Sequence, residues 1–328
     1  MITPSRLALP FLLILAPLCL LAGIGAGSAD LSLADVGNAL LAGPSGGIAA
    51  DIVWQLRLPR VLSAFACGGL LALAGVLLQV LLRNPLAEPY ILGISGGASV
   101  GALSAMALGA GIATANLGAF AGALASVALL LALGIGTGPW NAYRLLLTGV
   151  VLSAGYGALV SLLLALGPGE GLRGMLFWLM GDLSRAEHPG LVFAALAAAL
   201  LAAGWQARAL DVLALGELKA KSLGVAVTPL QAGLYLLASL CAAAAVSEAG
   251  TIGFVGLIVP HFLRLLGLAD HRRLLPASVL AGGIFLVFAD TLARTLAAPQ
   301  QLPVGALTAL LGVPTLLFLL SERRRAAH

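Results

Sequence analysis

Charge is what this sequence has least of. Asp, Glu, Lys and Arg together make up 9% of its 328 residues, against 61% hydrophobic. That balance leaves too little polar surface for a water-soluble domain, so the chain is an integral membrane protein. Lysine is scarcest of the charged types, with only Lys219 and Lys221. Neither follows a glycine loop, and no Gly-x-x-x-x-Gly-Lys-Ser/Thr occurs, so the chain cannot hydrolyse ATP by itself. Cys19, Cys67 and Cys241 lie in separate apolar runs, at spacings that suit neither a disulfide framework nor a metal site. They read as small packing residues. The four histidines are equally scattered, which leaves no metal site, no catalytic residue and no paired ligands for a membrane-embedded enzyme.

The few charges divide the sequence into apolar runs. Residues 7 to 29 carry none, nor do 61 to 82, 89 to 143, 145 to 169, 188 to 207, 222 to 247, 249 to 263, 274 to 289 and 295 to 321. A helix needs roughly 20 apolar residues to cross the hydrocarbon layer. The run 89 to 143 is long enough for two, broken at Gly109-Ala110-Gly111, and each of the others supplies one. The expected fold is an all-α polytopic membrane protein of ten transmembrane helices, with residues 1-328 as a single domain. The run 249 to 263 reaches only about 22 Å as a helix and is read as a short or slanted span. Residues 299 to 303 interrupt the last run, so the final helix should begin near Val304.

Ten crossings from a cytoplasmic N-terminus put both termini inside. They place Arg6, Arg83, Arg144, Arg208, Lys219, Lys221, Arg264, Arg272, Arg273, Arg323, Arg324 and Arg325 on the cytoplasmic side, leaving five basic residues outside. This positive-inside asymmetry accounts for most of the net charge of +4, so basicity here is no sign of nucleic acid. The first 27 residues imitate a secretory signal, but the apolar run exceeds a usual signal core, and an uncleaved helix is expected.

Three polar segments stand out. Residues 28 to 56 are read as external, with Ser32-Leu33-Ala34-Asp35 starting a short amphipathic surface helix. Residues 167 to 188, also external, include an interfacial helix at Met175 to Met180. Residues 207 to 228 form the largest cytoplasmic loop. Within it, Leu215-Gly216-Glu217-Leu218-Lys219-Ala220-Lys221-Ser222-Leu223-Gly224 reads as two helical turns joined near Ser222 and stopped by Gly224. Such a knob either docks in a partner's groove or is an ordinary solvated loop.

Arg83 to Gly97 contains two prolines, a carboxylate and clustered glycines, and cannot continue a helix. Non-helical backbone beside a span survives only where protein or a water-filled cavity satisfies it, so this segment should border a solute path. Gly253 to Pro260-His261 has the same character in a span of opposite direction, a hint of an inverted repeat. Asp290 and Arg294 stand four apart on one helix face and read as a local ion pair. Glu248 is placed near the outer end of the seventh span, facing a cavity. His261 reads as a packing or capping residue.

Taken together, Arg57-Leu58-Pro59-Arg60, Asn84-Pro85-Leu86-Ala87 with Leu92-Gly93, Leu215-Gly216-Glu217 to Ser222-Leu223-Gly224, Gly253-Phe254-Val255-Gly256-Leu257 with Pro260-His261 and Arg264, Asp270-His271-Arg272, Asp290 with Ala293-Arg294, and Leu302-Pro303-Val304-Gly305 resemble the FecCD family. These are permeases of type II ABC importers for vitamin B12, haem and ferric siderophores. The resemblance implies two copies of the chain around a central path, two cytoplasmic ABC ATPase subunits and a periplasmic binding protein, in a bacterial inner membrane. ATP and Mg would belong to the ATPase subunits, with no cofactor on this chain. It also implies ATPase coupling through Leu215, Gly216, Glu217, Ala220, Ser222, Leu223 and Gly224. Asn84 and Leu86 match its cytoplasmic gate, and a second gate element maps onto Pro139 to Tyr143, with Asn141. Arg57, Arg60 and Arg294 match outer-rim arginines that pair with carboxylates of the binding protein. Those three also defy the positive-inside bias, and planar guanidinium suits carboxylate pairing; interfacial anchoring is the plainer alternative.

The leading expectation is therefore an ATP-driven importer of a bulky metal chelate, most often an iron chelate in this family, with cobalamin as the alternative. The competing class is a proton-coupled secondary transporter with Glu248 and Asp290 as carriers. The cavity lining is expected to be mostly aliphatic.

Overall fold

The computed structural model describes residues 4–27, 29, 31–134, 142–167, 169–184, 186 and 188–326. Every regular element among them is helical. After α1 (Pro4–Gly25), α2 (Leu33–Ala42) starts at a reciprocal cap. The Ser32 hydroxyl accepts from the Asp35 N–H at 3.1 Å, and the Asp35 carboxylate accepts from the Ser32 N–H at 3.0 Å, the expected capping box. α3 (Ile48–Asp51) passes through a wider π turn at Ile52–Arg57 into α4 (Leu58–Leu81). The result is one rod of 34 residues, about 51 Å long. This rod runs unbroken through residues 56 to 61, where an outer segment ending at 56 and a span opening at 61 are expected. Arg57 and Arg60 interrupt the apolar run, but their guanidinium groups find partners inside the protein and give the helix no reason to break.

The chain continues through α5 (Ile94–Ala107), α6 (Ile112–Gly134), α7 (Ala142–Leu166) and the short α8 (Leu172–Leu179), which is the expected interfacial helix set a few residues earlier. Then come α9 (Pro189–Trp205), α10 (Ala207–Ala214), α11 (Glu217–Ser222), α12 (Val227–Ala249), α13 (Val255–Leu265), α14 (His271–Thr295) and α15 (Val304–Ala326). Each of the ten expected spans holds a helix. Six rods among the described residues are long and apolar enough to cross alone, and α9 with α10, bent by 60°, makes a seventh when taken together. α5 and α13, with 14 and 11 residues, are about 21 and 16 Å long and stop short of a full crossing.

The rod ending in α4 is the axis of the bundle. In its most apolar stretch 94% of the residues are buried, enclosed by α9, α12, α13 and α14. A helix apolar on every side belongs there. Gly75 marks the tightest approach: a Cβ on it would sit 1.8 Å from the Gly256 carbonyl oxygen, so α13 meets α4 backbone to backbone. α5 and α6 pair closely, and α7 lies against α5 with most of its own surface uncovered.

Candidate functional site

At the basic end, α10 and α11 form the loop singled out as a partner contact. They meet at Gly216, whose φ is +114°, rather than near Ser222 as expected. The bend belongs where glycine removes the penalty of positive φ, and Ser222 stays helical. Gly224, at φ +81°, does end α11. Leu215, Leu218 and Leu223 are 62%, 85% and 64% exposed, so the loop presents an apolar ridge to whatever covers it. Ala220 does not belong to that ridge. It is fully buried, because its small side chain lets α11 lie flat on the bundle.

Glu217 also turns inward. Its Oε1 accepts from Arg83 at 2.8 Å and from Gln231 Nε2 at 2.9 Å. On α10, Asp211 accepts from the His271 N–H at 3.0 Å and lies 2.6 Å from its Nδ1. The loop is thereby tied to the ends of α4, α12 and α14. Arg83, at φ +47°, directly precedes Asn84, whose Oδ1 accepts from the Leu86 N–H at 3.0 Å. Both residues matched to the gate thus share one tight turn, hung from the arginine that grips the loop. Asn141, with Pro139 and Trp140, lies outside the described residues. The Arg83–Glu217 contact has no signature in sequence, since both are ordinary charges until folding brings them together.

Beyond this turn the backbone enters the interior with only a short 3-10 turn at Pro89–Leu92, and there it meets the second break, at residues 250–254. Glu88 Oε1 accepts from the Phe254 N–H at 2.5 Å, and Tyr90 Oη accepts from the Ile252 N–H at 3.2 Å. Gln79 Nε2 donates to the Gly256 and Leu257 carbonyls at 3.2 Å each, and Arg264 donates to Gln79 Oε1. Depth follows from position along α4. Gly75, which touches Gly256, stands about two turns before Arg83, whereas Ser63 stands about five and a half turns before it. Ser63 Oγ donates to Glu248 Oε1 at 2.8 Å, near the far end of α12. Both breaks therefore lie between the two ends of the bundle, and α5 and α13 start there and run in opposite directions. Side chains of the first break thus supply acceptors for backbone N–H groups of the second, which is what allows irregular chain at such depth. Beside them opens a cleft of about 350 Å³, between α5 and α7.

At the opposite end, Arg57, Arg60 and Arg294 gather around α1 and Asp290. They are not the exposed cations expected, being 5%, 8% and 4% accessible. The reason is that the last carbonyls of α1 need donors. Arg57 donates to the carbonyls of Ile24 at 2.9 Å, Gly25 at 2.8 Å and Ala29 at 2.7 Å. Arg294 donates to those of Ala26 at 3.1 Å and Gly23 at 3.0 Å. Asp290 holds the expected pair with Arg294 at 3.0 Å and a second, across helices, with Arg60 at 2.8 Å. The three arginines also line a pocket of about 300 Å³ with Ser184 and Gln301. Glu248 does face a cavity, a groove of about 490 Å³ between α6, α9 and α12.

The FecCD transport family matches residues 12–322. The chain belongs to the FecCD family. This FecCD permease is 40% identical to the haemin transport system permease protein of Yersinia pestis, over 97% of its own length and 96% of that protein's. It is also 40% identical to the vitamin B12 import system permease protein of Escherichia coli O9:H4 over 275 residues, 83% of this chain and 84% of the relative. Among solved structures, a metal-chelate-type ABC transporter in an inward-facing conformation aligns with a TM-score of 0.84 and 30% identity, covering 97% of the FecCD permease and 99% of that chain. The motif resemblance thus holds across the whole bundle, and the chain is the membrane-spanning permease of an ABC importer.

Proposed function

We propose that this FecCD permease passes a bulky iron chelate, haem or a ferric siderophore, through the bacterial inner membrane. Two copies enclose the path, two cytoplasmic ABC ATPase subunits bind ATP and Mg, and a periplasmic binding protein delivers the cargo. The observation that supports this reading best is the contact chain at the basic end. An ATPase subunit covering the ridge of Leu215, Leu218 and Leu223 would move α10 and α11, and Glu217 would carry that movement through Arg83 to the turn of Asn84 and Leu86. ATP turnover in a separate subunit then opens and closes a passage in this one. For the cargo, the haemin permease aligns over 97% of the chain and the vitamin B12 permease over 83%. Carboxylates of the binding protein would meet the pocket that the three buried arginines line at the other end, where the cluster holds more positive charge than Asp290 cancels.

Proteoliposomes holding the complete complex test this. Uptake of haemin should need ATP, both ATPase subunits and the binding protein, and should survive a protonophore. Uptake that collapses with the proton gradient would make the chain a secondary transporter, and uptake of cobalamin in place of iron chelates would change the cargo.

A further inference from the structure

The cleft between α5 and α7 differs from the aliphatic lining expected of the apolar spans. Six hydroxyl groups line it, from Tyr90, Ser95, Ser99, Ser153, Tyr156 and Thr251, and none of its lining residues is charged. Their hydrogen bonds sort them. Ser99 Oγ donates to the Ser95 carbonyl at 2.8 Å, and Thr251 Oγ1 donates to the Leu179 carbonyl, so those two protons are spent. Tyr90 Oη accepts from the Ile252 N–H, which leaves its own proton for another acceptor. The hydroxyls of Ser95, Ser153 and Tyr156 have no hydrogen-bond partner inside the chain among the described residues. Four hydroxyl donors thus remain for something that enters.

The helix breaks add the same polarity. α5 starts at this cleft with no side chain capping its first turn, and Ser95 and Gly96 of that turn form part of the wall. Uncapped N–H groups at a helix start favour negative charge. The start of α13 is different, because Glu88 already accepts from Phe254 there. Gly96 sets the shape: a Cβ on it would lie 2.8 Å from Tyr156 Cβ, so glycine is what lets the Tyr156 ring rest on α5.

We propose that this cleft holds the oxygen-rich, anionic face of the chelate during its passage, and that neutral hydroxyl donors make the contact. The proposal rests on the import reading above. Neutral donors suit a transit site, since a charged side chain would bind a carboxylated cargo tightly enough to slow its release, whereas conduction needs a contact strong enough to enter and weak enough to leave.

The test uses the complete complex in lipid nanodiscs and proteoliposomes, with haemin, which carries two carboxylates, and haemin dimethyl ester as probes. Wild type should bind haemin several-fold more tightly than the ester in the absence of the binding protein. The triple variant Ser95→Ala, Ser153→Ala, Tyr156→Phe should lose that difference and import haemin about tenfold more slowly, as expected from three hydrogen bonds of about 0.5 kcal/mol each. Its ATP hydrolysis stimulated by the binding protein should stay at the wild-type level, which shows an intact complex. Should the triple variant not assemble, Tyr156→Phe alone, which keeps the ring on Gly96, should narrow the haemin-to-ester ratio about threefold. Wild-type uptake and an unchanged ratio in an assembled variant would overturn the cleft and leave the import reading standing. Wild type that imports neither haemin, a ferric trihydroxamate nor cobalamin with ATP would overturn both.

Discussion

Asp290 shows how much one side chain carries. It sits fully buried between Arg60 and Arg294, and removing one member of such a cluster leaves buried charge without compensation. Asp290→Asn should destabilise the rim end by about 3–5 kcal/mol, read as a fall in the thermal unfolding midpoint of the purified complex. A variant that melts at the wild-type temperature would show that the cluster is solvated. The same geometry changes how docking must be probed. Arg57→Glu with Arg60→Glu would break the clasp on α1 before it reported on a partner. Ser184→Asp places a negative charge beside the pocket without touching the clasp. It should weaken capture of the binding protein, more so at low salt, with pull-down affinity as the measure. A smaller example is Asp35, whose carboxyl is held below its ordinary value by the Ser32 hydroxyl and backbone N–H. A lowered folded value means the cap contributes fully above the ordinary carboxylate range and fades as pH falls through the folded value. α2 should therefore fray under acid. Ser32→Ala should move that loss to higher pH, followed by hydrogen exchange across Leu33–Ala42; an unshifted profile would rule out the cap as its cause.

Among the elements, the coupling loop separates two kinds of failure. Gly216→Glu and Leu223→Glu alter the exposed ridge or its bend, so they should cut ATPase binding several-fold. Arg83→Ala and Glu217→Gln leave the ridge intact and cut the link to the Asn84 turn, so the ATPases should still bind while chelate imported per ATP falls several-fold. Uptake per ATP unchanged in both would sever loop from gate. The two halves of this mechanism were unequally visible beforehand. Gly224 as a helix stop and Ser32 with Asp35 as a helix start are readable because their partners lie within a turn of the chain. The bend at Gly216, the inward turn of Glu217 and the burial of Ala220 depend on which face of α11 meets the bundle, and a six-residue helix has too little periodicity to declare that.

For the molecule as a whole, α4 and the two half-length helices set the plan. Gly75 is where α13 meets α4, and Gly75→Leu should force the two apart, since even a Cβ would fall 1.8 Å from the Gly256 oxygen. Loss of folded complex by size-exclusion chromatography is the expected result, and normal assembly would show that the approach can relax. Membrane residence, the all-helical fold and the break after Arg83 were all written in local order, because each depends on transfer energies and backbone preferences within windows of about 20 residues. The pairs that make the machine, Arg60 with Asp290, Glu88 with Phe254 and Glu217 with Arg83, were not. Their members are far apart along the chain, and in an unpacked chain nothing distinguishes them from other polar groups. Packing takes Arg60 and Asp290 out of water, where leaving them unpaired is costly, and it sets Arg83 beside Glu217, which stay partly exposed, by laying α11 against the bundle.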